Sequence, residues 1–159
     1  MKKLFPLFIM IIFLLSACSI DAKTPVLPTA FNQRARVSIG DFSYQCEICK
    51  NEKGIIFTVL STNAQGMVMT YDGSNMNFNF SDIIGDVPAS SLPKTNVPIV
   101  LFEALSYLYE QDTLKPSAVN EGYRYQGKTT LGNFVLITDG SARLKQFTLN
   151  GIDMKIEFE

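Results

Sequence analysis

The chain has 159 residues, with 14 basic and 15 acidic side chains, a net charge of −1, three cysteines and no histidine. That length bounds one domain of ordinary size, and the scattered cations exclude the basic stripe of a nucleic-acid binder. Without histidine the commonest general base and the commonest transition-metal ligand are missing, so the composition argues against an enzyme and gives no reason to expect a cofactor.

Lys2 and Lys3 precede a 12-residue apolar run from Leu4 to Leu15, interrupted by Pro6. A bilayer-spanning helix needs about 20 apolar residues. A positive start, a short apolar core and small residues at its end describe a cleaved secretory signal. Leu15-Ser16-Ala17-Cys18 resembles the lipobox of bacterial lipoproteins. The resemblance implies removal of residues 1–17, lipidation of Cys18 on sulfur, and a chain anchored on the extracytoplasmic side of a membrane. The remaining 142 residues carry 12 basic and 15 acidic side chains, a net charge of −3. Residues 18–33, with Pro25 and Pro28 and little periodicity, read as a tether. Residues 34–159 then form a single β-rich domain.

RVSIGDFSY alternates as a strand, with a shift at Gly40-Asp41 that predicts a bulge. It leads into QCEICK, where Cys46 and Cys49 leave three readings open. Half a zinc site lacks any second pair of ligands. A thioredoxin-like redox motif would cap a helix, and here a polar turn, NEKG, follows instead. A local disulfide is favoured outside the cytoplasm, and it requires the chain to bend between the two cysteines, because residues three apart on a regular strand face opposite ways.

GIIFTVLST and GMVMTY are further strands, and Asp72-Gly73 signals a hairpin. MNFNFS alternates Met76, Phe78 and Phe80 with Asn75, Asn77 and Asn79, a strand with one wet face. Residues 81–95, with Pro88 and Pro93, read as a loop. The period then changes: Val97, Leu101, Leu105 and Leu108 fall at helical spacing, with Asn96 as N-cap and Pro98 in the first turn. This helix is apolar around most of its circumference, so it is expected to be buried on more than one face. Four strands follow Pro116, with Asp139-Gly140 and Asn150-Gly151 as turns, and the last alternates Ile152, Met154, Ile156 and Phe158 with charged residues.

The expected architecture is β-rich α+β: about eight antiparallel strands in a strongly curved sheet, an unclosed barrel, with one apolar helix in its concavity. The lipobox LSAC, the hairpin MVMTYDGSNMNFNF, the lead SSLPKTNVPIVLFEAL into one helix, and the ending YQGKTTLGNFVLITDGSARLKQFTLNGIDMKIEFE resemble the LolA-like lipoprotein family. That family includes periplasmic lipoprotein carriers, mycobacterial lipid-binding lipoproteins and many lipoproteins of Gram-positive bacteria. The resemblance spans roughly residues 35–159 and implies an unclosed β-barrel with a helical lid that binds lipid or acyl chains. It fixes no ligand residue one by one, and the N-terminal helix of many members has no counterpart here.

One helix cannot cover so much apolar sheet, and the uncovered remainder predicts an apolar pocket. Its candidate walls are Met67, Met69, Met76, Phe78, Phe80 and Met154 on strands and Leu101 and Leu105 on the helix; methionine suits a wall that accommodates a variable chain. Arg36, Arg124 and Lys128 are candidates for the rim. Asp153, Glu157 and Glu159 read as the solvated face of the last strand, and Ser90, Ser91 and Lys94 lack the context of a serine-lysine hydrolase. The expected function is carriage or binding of a hydrophobic ligand by a membrane-anchored lipoprotein. The alternative is a non-enzymatic envelope protein that uses the same fold to dock a protein partner.

Overall fold

The computed structural model describes residues 26–111 and 115–159. The leader, Cys18 and most of the tether lie outside them. Eleven strands and one α-helix are present among the described residues. The strands are β1 (Phe31–Ile39), β2 (Phe42–Asn51), β3 (Gly54–Val59), β4 (Val68–Tyr71), β5 (Asn75–Phe80), β6 (Ile83–Pro88), β7 (Ser117–Val119), β8 (Gly122–Thr129), β9 (Gly132–Asp139), β10 (Leu144–Leu149) and β11 (Met154–Phe158). The helix α1 is Val97–Glu110.

The expectation of about eight strands is corrected at three places. Gly40 adopts φ +53° and its N–H donates to the Asp153 carbonyl at 3.2 Å. With Asp41 it makes a two-residue hairpin, so the anticipated bulge is a turn and one strand becomes two. Ile83–Pro88, read as a loop, is an edge strand, a place where proline is tolerated because no ladder bond is lost on the free side. Its turn, Ser81-Asp82, carries φ +48° and +69° without a glycine, so the usual sequence cue for such a hairpin is missing. The third addition, β7, is three residues long and pairs only with β8. At the other end β1 already starts at Phe31, inside the stretch expected as tether, and Leu27 before it is buried in the core.

The sheet is one unclosed, curved antiparallel array in the order β6-β5-β4-β3-β2-β1-β11-β10-β9-β8-β7. It is two meanders, β1–β6 and β7–β11, fused where β1 pairs with β11. The two outer strands, β6 and β7, are the ones that α1 connects. The helix packs on β3, β4 and β8 and so bridges the two wings of the sheet. Alternation assigns the inner face: Ala35 and Val37, Cys46 and Ile48, Ile55 and Phe57, Phe134 and Leu136, Met154 and Ile156 are all buried. Polar outward partners such as Asn75, Asn77 and Asn79 stay exposed. Gln33 is a buried polar exception. β11 pairs with β10 only from Gln146 onward, and the Gln33 amide takes both backbone groups of Leu144, donating Nε2 to its carbonyl at 3.1 Å and accepting its N–H at 3.3 Å.

Candidate functional site

The register puts the β1–β2, β3–β4, β5–β6, β8–β9 and β10–β11 turns along one margin of the sheet. At that margin, between the β1–β2 hairpin, the β3–β4 loop and the start of α1, lies a cavity of about 310 Å³. Ile39, Phe42, Tyr44, Val59, Met67, Met69, Val97 and Pro98 supply its apolar wall, and Ala64, Thr62, Thr95 and Asn96 complete it. No lining side chain is charged. Its size is at the lower end of the range of about 300–1,000 Å³ for small-molecule pockets. Phe42, in tilted ring contact with Tyr44 at 5.9 Å, stands 58% exposed beside the opening.

The opening exists because the two ends of α1 meet the sheet differently. From Phe102 onward the helix is pinned. Phe102 meets Tyr71 edge-on at 5.1 Å, and Tyr107 meets Phe134 edge-on at 6.0 Å. The Tyr109 hydroxyl donates to the Pro28 carbonyl at 2.8 Å, and the Thr130 hydroxyl donates to Glu103 at 3.2 Å. Gly127 makes room for this packing: a Cβ there would lie 2.5 Å from the Phe134 ring and 2.6 Å from Tyr107. At the N-terminal end, Val97 and Pro98 face the cavity instead. Asn96 holds the N-cap position with extended backbone, and its carbonyl accepts from Val100 at 3.0 Å, but its side chain makes no capping bond. An N-cap oxygen ordinarily accepts from the second or third helical N–H, and Pro98, in the second place, has none.

Of the expected wall residues, Met67 and Met69 are brought together at the cavity. Met76, Leu101, Leu105 and Met154 are packed into the core, each no more than 1% exposed, and reach no opening. Phe78 and Phe80 are half-buried on the inner face of β5, one strand beyond Met69, and do not line the cavity. The missed walls, Ile39, Phe42, Tyr44 and Val59, sit where the unforeseen β1–β2 turn and the β3–β4 loop meet α1. Their alternation was legible, but the end of the sheet on which they lie was not. Among the rim candidates, Arg36 and Arg124 are on outward positions. Lys128 borders a separate cleft of about 400 Å³ with Glu103 and Glu110.

The disulfide expected between Cys46 and Cys49 is not formed, and both thiols are free. β2 runs through them without a bend, paired in unbroken register with β1 and β3, so Cys46 points inward and Cys49 outward. Burial pushes the Cys46 thiol up to about 12, which keeps it protonated and unreactive. Burial first, and Cys46 next, push the Tyr44 hydroxyl up as well. Glu157 is exposed and pairs with Lys155, and Ser91 donates to the Pro88 carbonyl at 2.8 Å in an exposed turn. No group of three or more metal-ligating side chains occurs among the described residues. Comparison of the sequence with protein-family models and with curated proteins gives no match.

Proposed function

We propose that this chain is a membrane-anchored extracytoplasmic lipoprotein, held through lipid on Cys18, that binds a hydrophobic ligand such as an acyl chain between the curved sheet and the start of α1. The observation that carries the reading is the uncharged cavity of about 310 Å³, walled by both sheet and helix and open at one margin. Apolar burial contributes roughly 25 cal/mol per Å², so a hydrocarbon chain needs no charged anchor to be held there. The two methionines let the wall repack around chains of different shape. The anchor rests on the resemblance of LSAC to a lipobox.

The test is displacement of a fluorescent fatty acid from the purified protein, with Ala64→Phe as the blocking variant, since Ala64 is a half-exposed lining residue whose enlargement fills the cavity from the loop side. Saturable binding, lost in the variant while the melting temperature holds, is the expected result. Absence of binding across several lipid classes overturns the reading. Cys18→Ala is expected to release the protein from the membrane fraction or leave it unprocessed. The second reading, an envelope protein that docks a protein partner, is favoured by one observation: the edge strand β6 carries Ile83 and Ile84 at 73% and 70% exposure. A stable partner together with lipid-free purified protein would favour it.

A further inference from the structure

Two features of the cavity are unnecessary for gripping hydrocarbon, and they bear on the ligand's head. Asn96 lines the cavity, and its Oδ1 is buried without a hydrogen-bond partner. A buried acceptor left unmade is costly, so a ligand that supplies a donor there gains what the free protein lacks. A hydroxyl is suited to the task because it satisfies either face of an amide. The second feature is the absence of charge from the wall. An ionised carboxylate or phosphate drawn against it would lose hydration without a counter-ion. The partial charge of the helix N-terminus offsets only a small part of that loss. Size adds a third limit, because about 310 Å³ accommodates one chain and not the two of a membrane phospholipid.

Resting on the lipid-binding reading above, we infer that the cavity selects single-chain neutral amphiphiles with a hydroxyl or amide head, of the monoacylglycerol or fatty-alcohol type, over ionised fatty acids and two-chain phospholipids, and that Asn96 is the head-group contact. Thr62 and Thr95, exposed on the same wall, bring further hydroxyls to the mouth.

The experiment uses the full-length protein in phosphatidylcholine nanodiscs, labelled with diazirine-bearing monoacylglycerol, fatty acid at pH 8, or phosphatidylcholine, with the labelled peptides identified by mass spectrometry. The expected result is saturable labelling around Met67 and Met69 by the monoacylglycerol at about tenfold lower concentration than by the fatty acid, with no saturable labelling by the phospholipid. Asn96→Leu should bring the half-saturating concentrations of monoacylglycerol and fatty acid to within about twofold of each other, and Asn96→Ser, which keeps a hydroxyl, should retain part of the preference. Should Asn96→Leu fail to fold, the Asn96→Ser comparison and the ranking of the three probes on the natural chain decide alone. Equal labelling by all three probes, or an unchanged preference in Asn96→Leu, overturns the selectivity and leaves lipid binding standing. No labelling by any probe overturns both.

Discussion

The two ends of α1 present opposite solutions to one packing problem. At the Tyr107 end a glycine in the sheet and an aromatic on the helix interlock, and three further aromatic or hydroxyl contacts fix the angle. At the Val97 end the helix begins with a capping residue that does not cap and a proline that cannot donate, and a cavity opens. One 14-residue helix, about 21 Å long, bridges the two wings of an eleven-stranded sheet, interlocks with it near Tyr107 and leaves an apolar cavity beside its first turn. The lesson is that rigidity at one end is what permits emptiness at the other: the helix is held by its pinned half, so its first turn need not be held by the ligand site.

Three measurements break or sharpen this contrast. The largest effect is expected from Leu101→Ala, at the fully buried middle of α1, which should cost about 2–5 kcal/mol in urea unfolding because the surrounding core cannot collapse onto the void. Gly127→Ala should cost about 1–3 kcal/mol by overpacking against Tyr107 and Phe134, and it should also disturb ligand binding at the far end if the pinned half truly positions the first turn. A loss of stability with binding intact would separate the two ends. The smallest effect is alkaline. Cys46 lies beside Tyr44 beneath the open end, and its folded value of about 12 stands above the ordinary 9.0. The unfolded chain therefore releases this proton first, so the stability contributed is complete below about pH 9 and declines as pH rises toward 12. Natural protein should lose about 1 kcal/mol more than Cys46→Val between pH 8 and pH 10. Equal losses would mean that water reaches the thiol through the cavity.

Much of the fold was legible in the sequence because its governing signals are local. The alternation of Met76, Phe78 and Phe80, the Asp72-Gly73 turn and the change of period at Val97 each emerge from a few neighbouring residues. Asp72 shows the mechanism: its carboxylate accepts from the Ser74 and Asn75 N–H groups at 2.7 Å each, and those two bonds hold it below the usual carboxylate range. What escaped was carried by weak or non-local cues. Ser81-Asp82 turns the chain without glycine, and β6 ends in a proline that ordinarily argues against a strand. The site was only partly legible for a related reason. Alternation tells which face a residue takes, so Met67 and Met69 were found together with four residues that pack solidly in the core. Whether an inward residue meets helix, sheet or empty space depends on where α1 ends relative to the margin, and no single-strand pattern encodes that. The cysteine pair failed because the bond required a bend that the ladders on both sides of β2 do not allow.

The seam between β1 and β11 sets a condition on time as well as on shape. β1 finds its second neighbour in the last strand of the chain, and the Gln33 amide reaches a backbone 111 positions away. Contacts of such long sequence separation demand loop closure before they return any stabilisation, and they slow folding. A chain delivered N-terminus first therefore presents β1 with only half its ladder until the final residues arrive. Were the chain exported as proposed above, the seam could not lock until β11 had reached the far side.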